Sequence, residues 1–337
     1  MAYEFGKTLL VVNPAAQSGR AKALGDRALE LLQTAGVDVE LRHSEGSEHA
    51  RTLGARAGEE GFATLIVLGG DGIIHHVGEG LMDAAADKRP VLGVIPVGSG
   101  NDYARTVHIP EGVEAAVAAL LAAEPRAMDV VRVNDRHYLE TLSFGLDAAI
   151  AIGTEERRKR TGETGLKLYF MTGLDEIVHR MYSYTYHARL EGVGGVEGAT
   201  EELSGSMKLF AVQNGRTYGG GFPITPDASA TDGLLNICIA SGKIGKPRTL
   251  VVFAKATKGR HVNSPFVEFH TARRVHISFE ESEHTAPPPA SSTVRPIPPP
   301  NMTSKCCPEN STFSAGQPPG SGKLRFRDSS GIIGIRQ

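Results

Sequence analysis

Cysteine is scarce: Cys238, Cys306 and Cys307 are the only three in 337 residues, two of them adjacent and none in a CxxC pair. That spacing argues against a disulfide framework or a zinc knuckle and fits a reducing cytoplasm. No run approaches the roughly 20 apolar residues of a membrane helix, and Met1 to Lys7 carries no signal-peptide pattern. The expected location is therefore cytoplasmic, with any membrane contact peripheral. An excess of one charge is lacking too. The formal net charge is −2, so no broad basic field argues for nucleic acid. There is no internal repeat. A homodimer is compatible with the sequence but nothing in it demands one.

What is present is ordinary globular material. The hydrophobic fraction is 40%, enough for a sizeable core, and the length suggests about two domains. Up to residue 128 strands alternate with helices. Thr8 to Val12, Val37 to Leu41, Thr64 to Leu68 and Val91 to Ile95 are apolar runs of strand length. Arg20 to Thr34, Ser47 to Glu60 and Ile73 to Ala86 have helical spacing. This alternation predicts an α/β domain with a parallel sheet, whose ligands bind outside the carboxyl ends of the strands. From residue 129 to 284 the pattern changes to short strands separated by glycine turns. The strands are Val130 to Val133, His137 to Ser143, Thr185 to Leu190, Met207 to Gln213, Leu234 to Ala240, Val267 to Phe269 and Arg274 to Phe279. Two helices, Gly165 to Met181 and Pro247 to Thr257, interrupt them. A mainly antiparallel β domain is expected. Ten of the nineteen prolines lie after residue 286, so the segment 285–337 is expected to be a disordered, atypical tail.

The chain is organised around Val67-Leu68-Gly69-Gly70-Asp71-Gly72, a buried strand that ends at glycines just before a helix. Such a turn aims several N–H groups at one point and suits a phosphate. Glycine also allows positive φ or close approach to a ligand. A plain tight turn is the simpler alternative. It is less attractive here because the loops after the first and fourth strands fall on the same sheet edge. The loop after the first strand, Asn13-Pro14-Ala15-Ala16-Gln17-Ser18-Gly19, lacks the GK[ST] ending of a Walker A loop. After the fourth, Gly98-Ser99-Gly100-Asn101-Asp102 offers the Ser99 hydroxyl, with Asn101 and Asp102 as helix caps. Asp232-Gly233 is either a turn or part of a magnesium site. His75 and His76 are not at i, i+4 spacing, which argues against a paired metal site. Arg157-Arg158-Lys159-Arg160 is either a solvated helix face or a contact for anionic lipid headgroups.

As a set these stretches resemble the bacterial diacylglycerol kinases and related lipid kinases, whose catalytic domain is shared with sphingosine and ceramide kinases. Asn13-Pro14, Gly69 to Gly72, Pro96 to Asp102, Phe144-Gly145-Leu146-Asp147, Gln213-Asn214 with Gly219 to Gly221, and Asp232-Gly233-Leu234 carry the resemblance. They span Leu9 to about Phe279. The resemblance implies a two-domain fold with a nucleotide site in the cleft between the domains. It also implies transfer of the ATP γ-phosphoryl group to a lipid hydroxyl at the membrane surface, with diacylglycerol as acceptor. By position, Asn13, Pro14, Ala15, Ala16, Gln17, Ser44, Gly70, Asp71, Gly72, Ile73, Ile74, His75, His76, Gly98, Ser99 and Asn101 would bind ATP. Asp232, with the carbonyls of Ser229 and Leu234, would hold Mg²⁺. Asp71 would be catalytic, either orienting the metal or taking the proton of the lipid hydroxyl.

Three departures stand out. Ile73 replaces the usual threonine of GGDGT, and His75-His76 replaces an Asn-Glu pair. No Asp-Gly-Glu follows Phe279, although Glu280, Glu281 and Glu283 lie near. The break near Thr285 points to a frameshifted or otherwise replaced C-terminus. Loss of a general base costs about 10²–10⁴ in rate. Two other readings remain open: an NAD-kinase-like enzyme acting on a soluble substrate, and a nucleotide- or lipid-binding protein with impaired catalysis.

Overall fold

A computed structural model of the protein describes residues 3–14, 19–134, 136–163 and 165–280, with short strand stretches at 290–292, 295–296, 311–316 and 332–333. The chain divides into two compact units, residues 1–128 with 317–337 and residues 129–316.

In the first unit, β1 (Thr8–Val12), β2 (Val39–His43), β3 (Thr64–Gly69) and β4 (Val91–Pro96) form a parallel sheet in the order β2-β1-β3-β4, and the two-residue β5 (Pro125–Arg126) lies farther along the same sheet. Every residue of β1 and β3 is buried. Their uninterrupted apolar runs are what a strand needs when both its faces are covered. The cover is α1 (Ala21–Thr34), α2 (Ser47–Arg56), α3 (Asp71–Asp83), the short α4 (Asp102–Thr106) and α5 (Val113–Ala122). Because the strands are parallel, the loops after all four leave by one edge. The strand order reverses between β1 and β3, where an open α/β sheet forms its ligand crevice. Three sequence expectations shift: β2 starts two residues later than expected, α3 starts at Asp71 rather than Ile73, and α5 was not anticipated. The α5 sequence, Val-Glu-Ala-Ala-Val-Ala-Ala-Leu-Leu-Ala, has almost no polar face and so no amphipathic period to detect.

Helices α2 and α3 touch at their backbones. A Cβ on Gly80 would lie 1.9 Å from the carbonyl oxygen of Arg51, and one on Gly54 would lie 2.2 Å from that of Val77. The two glycines therefore set how closely α2 and α3 approach, which positions the first turn of α3.

The second unit is built on an antiparallel sheet. It contains β6 (Val130–Val133), β7 (Arg136–Tyr138), β8 (Thr141–Gly145), β9 (Tyr184–Glu191), β10 (Thr200–Gln213), β11 (Leu235–Ser241), β12 (Val267–Ala272) and β13 (Arg274–Phe279). Alternation sorts its side chains into two cores. Phe210 and Val212 of β10 pack with Leu142, Phe144, Ile237 and Ile239 on one face. Ala211 faces the other way and packs with Cys238, Tyr218 and Phe222, under α6 (Leu146–Thr161), α7 (Gly165–His179) and α8 (Lys246–Ala256). Helix α6 was not anticipated: its first half is apolar and its second half charged, so neither half alternates. The first half of β10, Thr200–Ser206, was missed because it is polar and mostly exposed. The run expected as one strand over His137 to Ser143 is two, β7 and β8. Beyond residue 284, short strands at Ala290–Ser292, Arg295–Pro296, Ser311–Gly316 and Ile332–Ile333 are paired in the sheets. The rest of the segment expected to be disordered lies outside the described residues.

Gly80→Ala is expected to destabilise the chain by about 1–3 kcal/mol, because the added methyl meets backbone rather than a side chain that can move. The shift in the urea unfolding midpoint measures it.

Candidate functional site

The edge at the carboxyl ends of β1 to β4 gathers most of the residues singled out in the first unit. Asn13 and Pro14 follow β1, and the Asn13 N–H donates to the Leu68 carbonyl at 3.4 Å. Ser44 follows β2, is buried, and donates its N–H to the Val12 carbonyl at 2.9 Å. Gly70 to Gly72 follow β3 and Gly98 to Asn101 follow β4. Ala15, Ala16 and Gln17 lie outside the described residues.

The loops after β3 and β4 sit back to back. The Val97 N–H donates to the Gly69 carbonyl at 3.0 Å. A Cβ on Gly98 would come within 2.4 Å of the Gly70 Cα, and one on Gly70 within 3.0 Å of the Gly98 Cα. No other residue type fits both places. The Asp71 Oδ1 accepts the Tyr103 N–H at 3.1 Å, so the catalytic candidate from the β3 loop caps α4 beyond the β4 loop. This corrects the sequence reading of the caps. Asn101 does not cap α4. It sits in the left-handed region at φ 56°, and its Oδ1 accepts the Gly98 N–H at 2.8 Å. Asp102 pairs with Arg105 at 3.3 Å.

Burial, with the charge of Asp102 adding to it, raises the Asp71 carboxyl to about 6, against the hydrogen bond from Tyr103. The first turn of α3 pulls the other way, since a helix N-terminus favours negative charge. Ser99 is exposed on the same edge and Gly72 is half-buried. Ile73 and Ile74 are buried, so their side chains belong to the core and only their main chain could meet a ligand. Ile73 folds back on Gly69, where a Cβ would lie 2.1 Å from its Cγ2. His75 is buried and His76 half-buried on α3.

The remaining candidates lie in the second unit. Asp232 is exposed and its Oδ1 accepts the Leu234 N–H at 3.0 Å, the turn geometry weighed for Asp232-Gly233. Ser229 Oγ lies 3.1 Å from Thr231 Oγ1. Sequence reasoning missed Asp129. This buried carboxylate accepts the Gly233 N–H at 2.7 Å, and its carboxyl is raised by burial and in part by the charge of Asp232. Both carboxylates are hard oxygen donors of the type Mg²⁺ takes. Asn214 ties this corner together by donating Nδ2 to the Asp129 carbonyl at 2.7 Å and the Leu139 carbonyl at 2.9 Å. Asp129 carried no motif of its own; its place beside Asp232 arises only from folding. Glu280 follows β13, its Oε1 2.8 Å from His187 Nε2. Glu281 and Glu283 lie outside the described residues.

Under α6, α7 and α8 lies a cavity of about 70 Å³. Leu146, Ile150, Phe222, Cys238 and Phe253 line it, and Asp147, Tyr169 and Tyr218 are among its polar groups. The Asp147 Oδ1 accepts the Tyr169 hydroxyl at 2.5 Å. Burial raises the Asp147 carboxyl against hydrogen bonds from Ser143, Tyr169 and Tyr218. An apolar hollow with a few convergent polar groups is the usual form of a small-molecule site.

The sequence matches the family described as the diacylglycerol kinase catalytic domain over residues 7–133, and the YegS C-terminal NAD kinase beta sandwich-like domain over residues 140–308. It is similar to a protein named "Diacylglycerol kinase" of Mycobacterium tuberculosis (strain ATCC 25618 / H37Rv), 29% identical over 304 residues covering 87% of this chain and 94% of that one. It is also similar to a protein of Yersinia pestis (strain Pestoides F) named "Probable lipid kinase YegS-like", 29% identical over 259 residues, 76% of this chain and 82% of that one. The fold is shared with the crystal structure of a diacylglycerol kinase from Bacillus anthracis str. Sterne, at a TM-score of 0.69 and 21% identity, covering 93% of this chain and 95% of that one.

The raised Asp71 carboxyl has a consequence for stability. In the unfolded chain the group titrates near pH 3.9, and in the folded chain near about 6. Between these values the folded state holds the extra proton, so this group makes stability fall as pH rises from about 4 to about 6 and leaves it level above. Asp71→Asn removes that slope. In metal-free buffer the variant is expected to be more stable than wild type at pH 7 and nearly equal to it near pH 4. Urea midpoints across the range measure this.

Proposed function

Since the chain belongs to the family of the diacylglycerol kinases and related YegS-type lipid kinases, we propose that it transfers the γ-phosphoryl group of ATP to a lipid hydroxyl, with diacylglycerol as acceptor and phosphatidic acid as product. The contact between the Gly70 and Gly98 loops, with Asp71 held at the start of α3, carries this reading. It brings main-chain N–H groups and a helix N-terminus to one edge, where phosphates are favoured. Asn13 to Gln17, Ser44, Gly70 to His76, Gly98, Ser99 and Asn101 bind the nucleotide. Of these, Ile73 and Ile74 contribute through the backbone.

Phosphoryl transfer asks the protein mainly for positioning and charge neutralisation. Asp71 is the catalytic group. A carboxyl raised to about 6 is a competent proton acceptor near neutral pH, and its ionised form can instead orient a metal ion. Asp232, with the carbonyls of Ser229 and Leu234, holds structural Mg²⁺, and Asp129 adds negative charge beside it. When bound, Mg²⁺ supplies positive charge that offsets these carboxylates.

The apolar cavity beneath α6 to α8 takes the end of an acyl chain, a few methylenes long. Among the described residues no helix is long and apolar enough to cross a membrane, and we place the protein in the cytoplasm, bound peripherally to the bilayer. Leu166, Met171 and Val178 of α7 and nearby Tyr182 are exposed. The basic run Arg157 to Arg160 lies near the end of α6, and exposed apolar and basic side chains of this kind suit a bilayer with anionic headgroups.

A second reading is ATP binding without turnover. It is favoured by the missing Asp-Gly-Glu and by the engagement of Glu280 with His187.

The deciding assay incubates the purified chain with labelled ATP, Mg²⁺ and diacylglycerol in anionic vesicles, with NAD as a parallel acceptor. Label is expected in the lipid, and Asp71→Asn is expected to lower the rate by about 10²–10⁴. ATP binding with no labelled product would favour the second reading, and labelled NADP would reject a lipid acceptor. Ile150→Trp, which fills the cavity, is expected to raise KM for long-chain diacylglycerol more than for a short-chain analogue.

A further inference from the structure

On α3, His75 and His76, placed above among the nucleotide-binding residues, meet Glu79, to which phosphoryl transfer gives no role. His75, His76 and Glu79 each offer one ligand atom, and these atoms all lie within 4.8 Å of one another. Among the described residues this is the one group of three such side chains brought so close. His75 and Glu79 are spaced i, i+4 and His76 and Glu79 i, i+3, so the helix itself makes them neighbours. The two imidazole rings meet edge to face with centroids 5.3 Å apart.

Glu79 is 1% exposed. Arg51 of α2 lies 4.0 Å from it and also pairs with Asp83 at 2.7 Å. Two imidazole nitrogens and one carboxylate oxygen form a donor set for borderline divalent transition ions, and not for the hard ions Mg²⁺ and Ca²⁺. Three protein donors leave a position for water in a four-coordinate site, and half-buried His76 provides the way in. The backbone contact of Gly54 and Gly80 holds α3 rigidly enough to present the three together.

We propose that His75, His76 and Glu79 form a binding site for a zinc-class divalent transition-metal ion, one turn into α3 from Asp71. The full chain, stripped with a chelator and free of nucleotide and lipid, is titrated with Co²⁺ while its visible spectrum is recorded. The expected result is one Co²⁺ per chain with ligand-field bands. Zn²⁺ removes these bands and a large excess of Mg²⁺ does not. His76→Gln and Glu79→Gln are each expected to weaken Co²⁺ binding by at least about 100-fold, the upper end of what losing a mere outer partner costs. His187→Gln, on β9 of the second unit, leaves it unchanged. If Glu79→Gln does not fold, half-buried His76→Gln decides the matter, with a second readout in whether Zn²⁺ raises Tm for wild type but not for the variant. Absence of Co²⁺ bands in the intact chain, unchanged affinity in His76→Gln, or loss of the signal in His187→Gln overturns the proposal. Because no ATP or lipid is present, none of these results bears on the kinase reading.

Discussion

The first unit depends on a contact that contains no side chain at all. Gly70 and Gly98 touch through their Cα atoms, and that lets the loops after two adjacent strands share one small volume. Asp71 then reaches across to the Tyr103 N–H, and Asn101 turns back in a left-handed conformation to accept from Gly98. Polar main-chain groups that would have no partner inside a helix end are thereby satisfied by the neighbouring loop. A larger residue at either glycine would separate the loops and move Asp71 away from Tyr103.

That arrangement has a cost. Asp71 is placed where burial and Asp102 both disfavour its charge, although a helix N-terminus favours it. The same environment that raises the carboxyl makes it useful as a proton acceptor near neutral pH. A similar tension recurs in the second unit, where Asp129 sits beside Asp232 and Asp147 is enclosed by tyrosines and apolar walls. In each case folding energy from the apolar cores holds a carboxylate where water would otherwise be its better surrounding. Sites with perturbed carboxylates are where chemistry is expected; Asp71 lies at the ligand edge of the first sheet and Asp147 against the small cavity under α6 to α8.

Much of the fold was legible because periodicity was clean. β1, β3 and β4 are largely apolar runs ended by Asn13-Pro14, by glycines and by Pro96, and β6 and β13 match their expected ranges. The misses have local causes. Helices α5 and α6 do not alternate, and the first half of β10 is polar and mostly exposed. The Phe144 to Asp147 segment was noticed as a motif, but its sequence says nothing of the cavity that Leu146 and Asp147 help to line.

The sequence by itself determined most of the elements, the parallel and antiparallel character of the two units, and the glycine loops with Asp71 between a strand and a helix. These are properties of neighbours along the chain, and backbone sterics and side-chain period are read at that range. Tertiary structure decided which groups meet: Gly70 with Gly98, Asp71 with Tyr103, Asp129 with Gly233, and Tyr169 with Asp147. Those partners are separated by 22 to 104 residues, and only the packed sheets bring them within bonding distance. The reach of a hydrogen bond or a van der Waals contact is a few ångströms in space, whatever the distance along the chain.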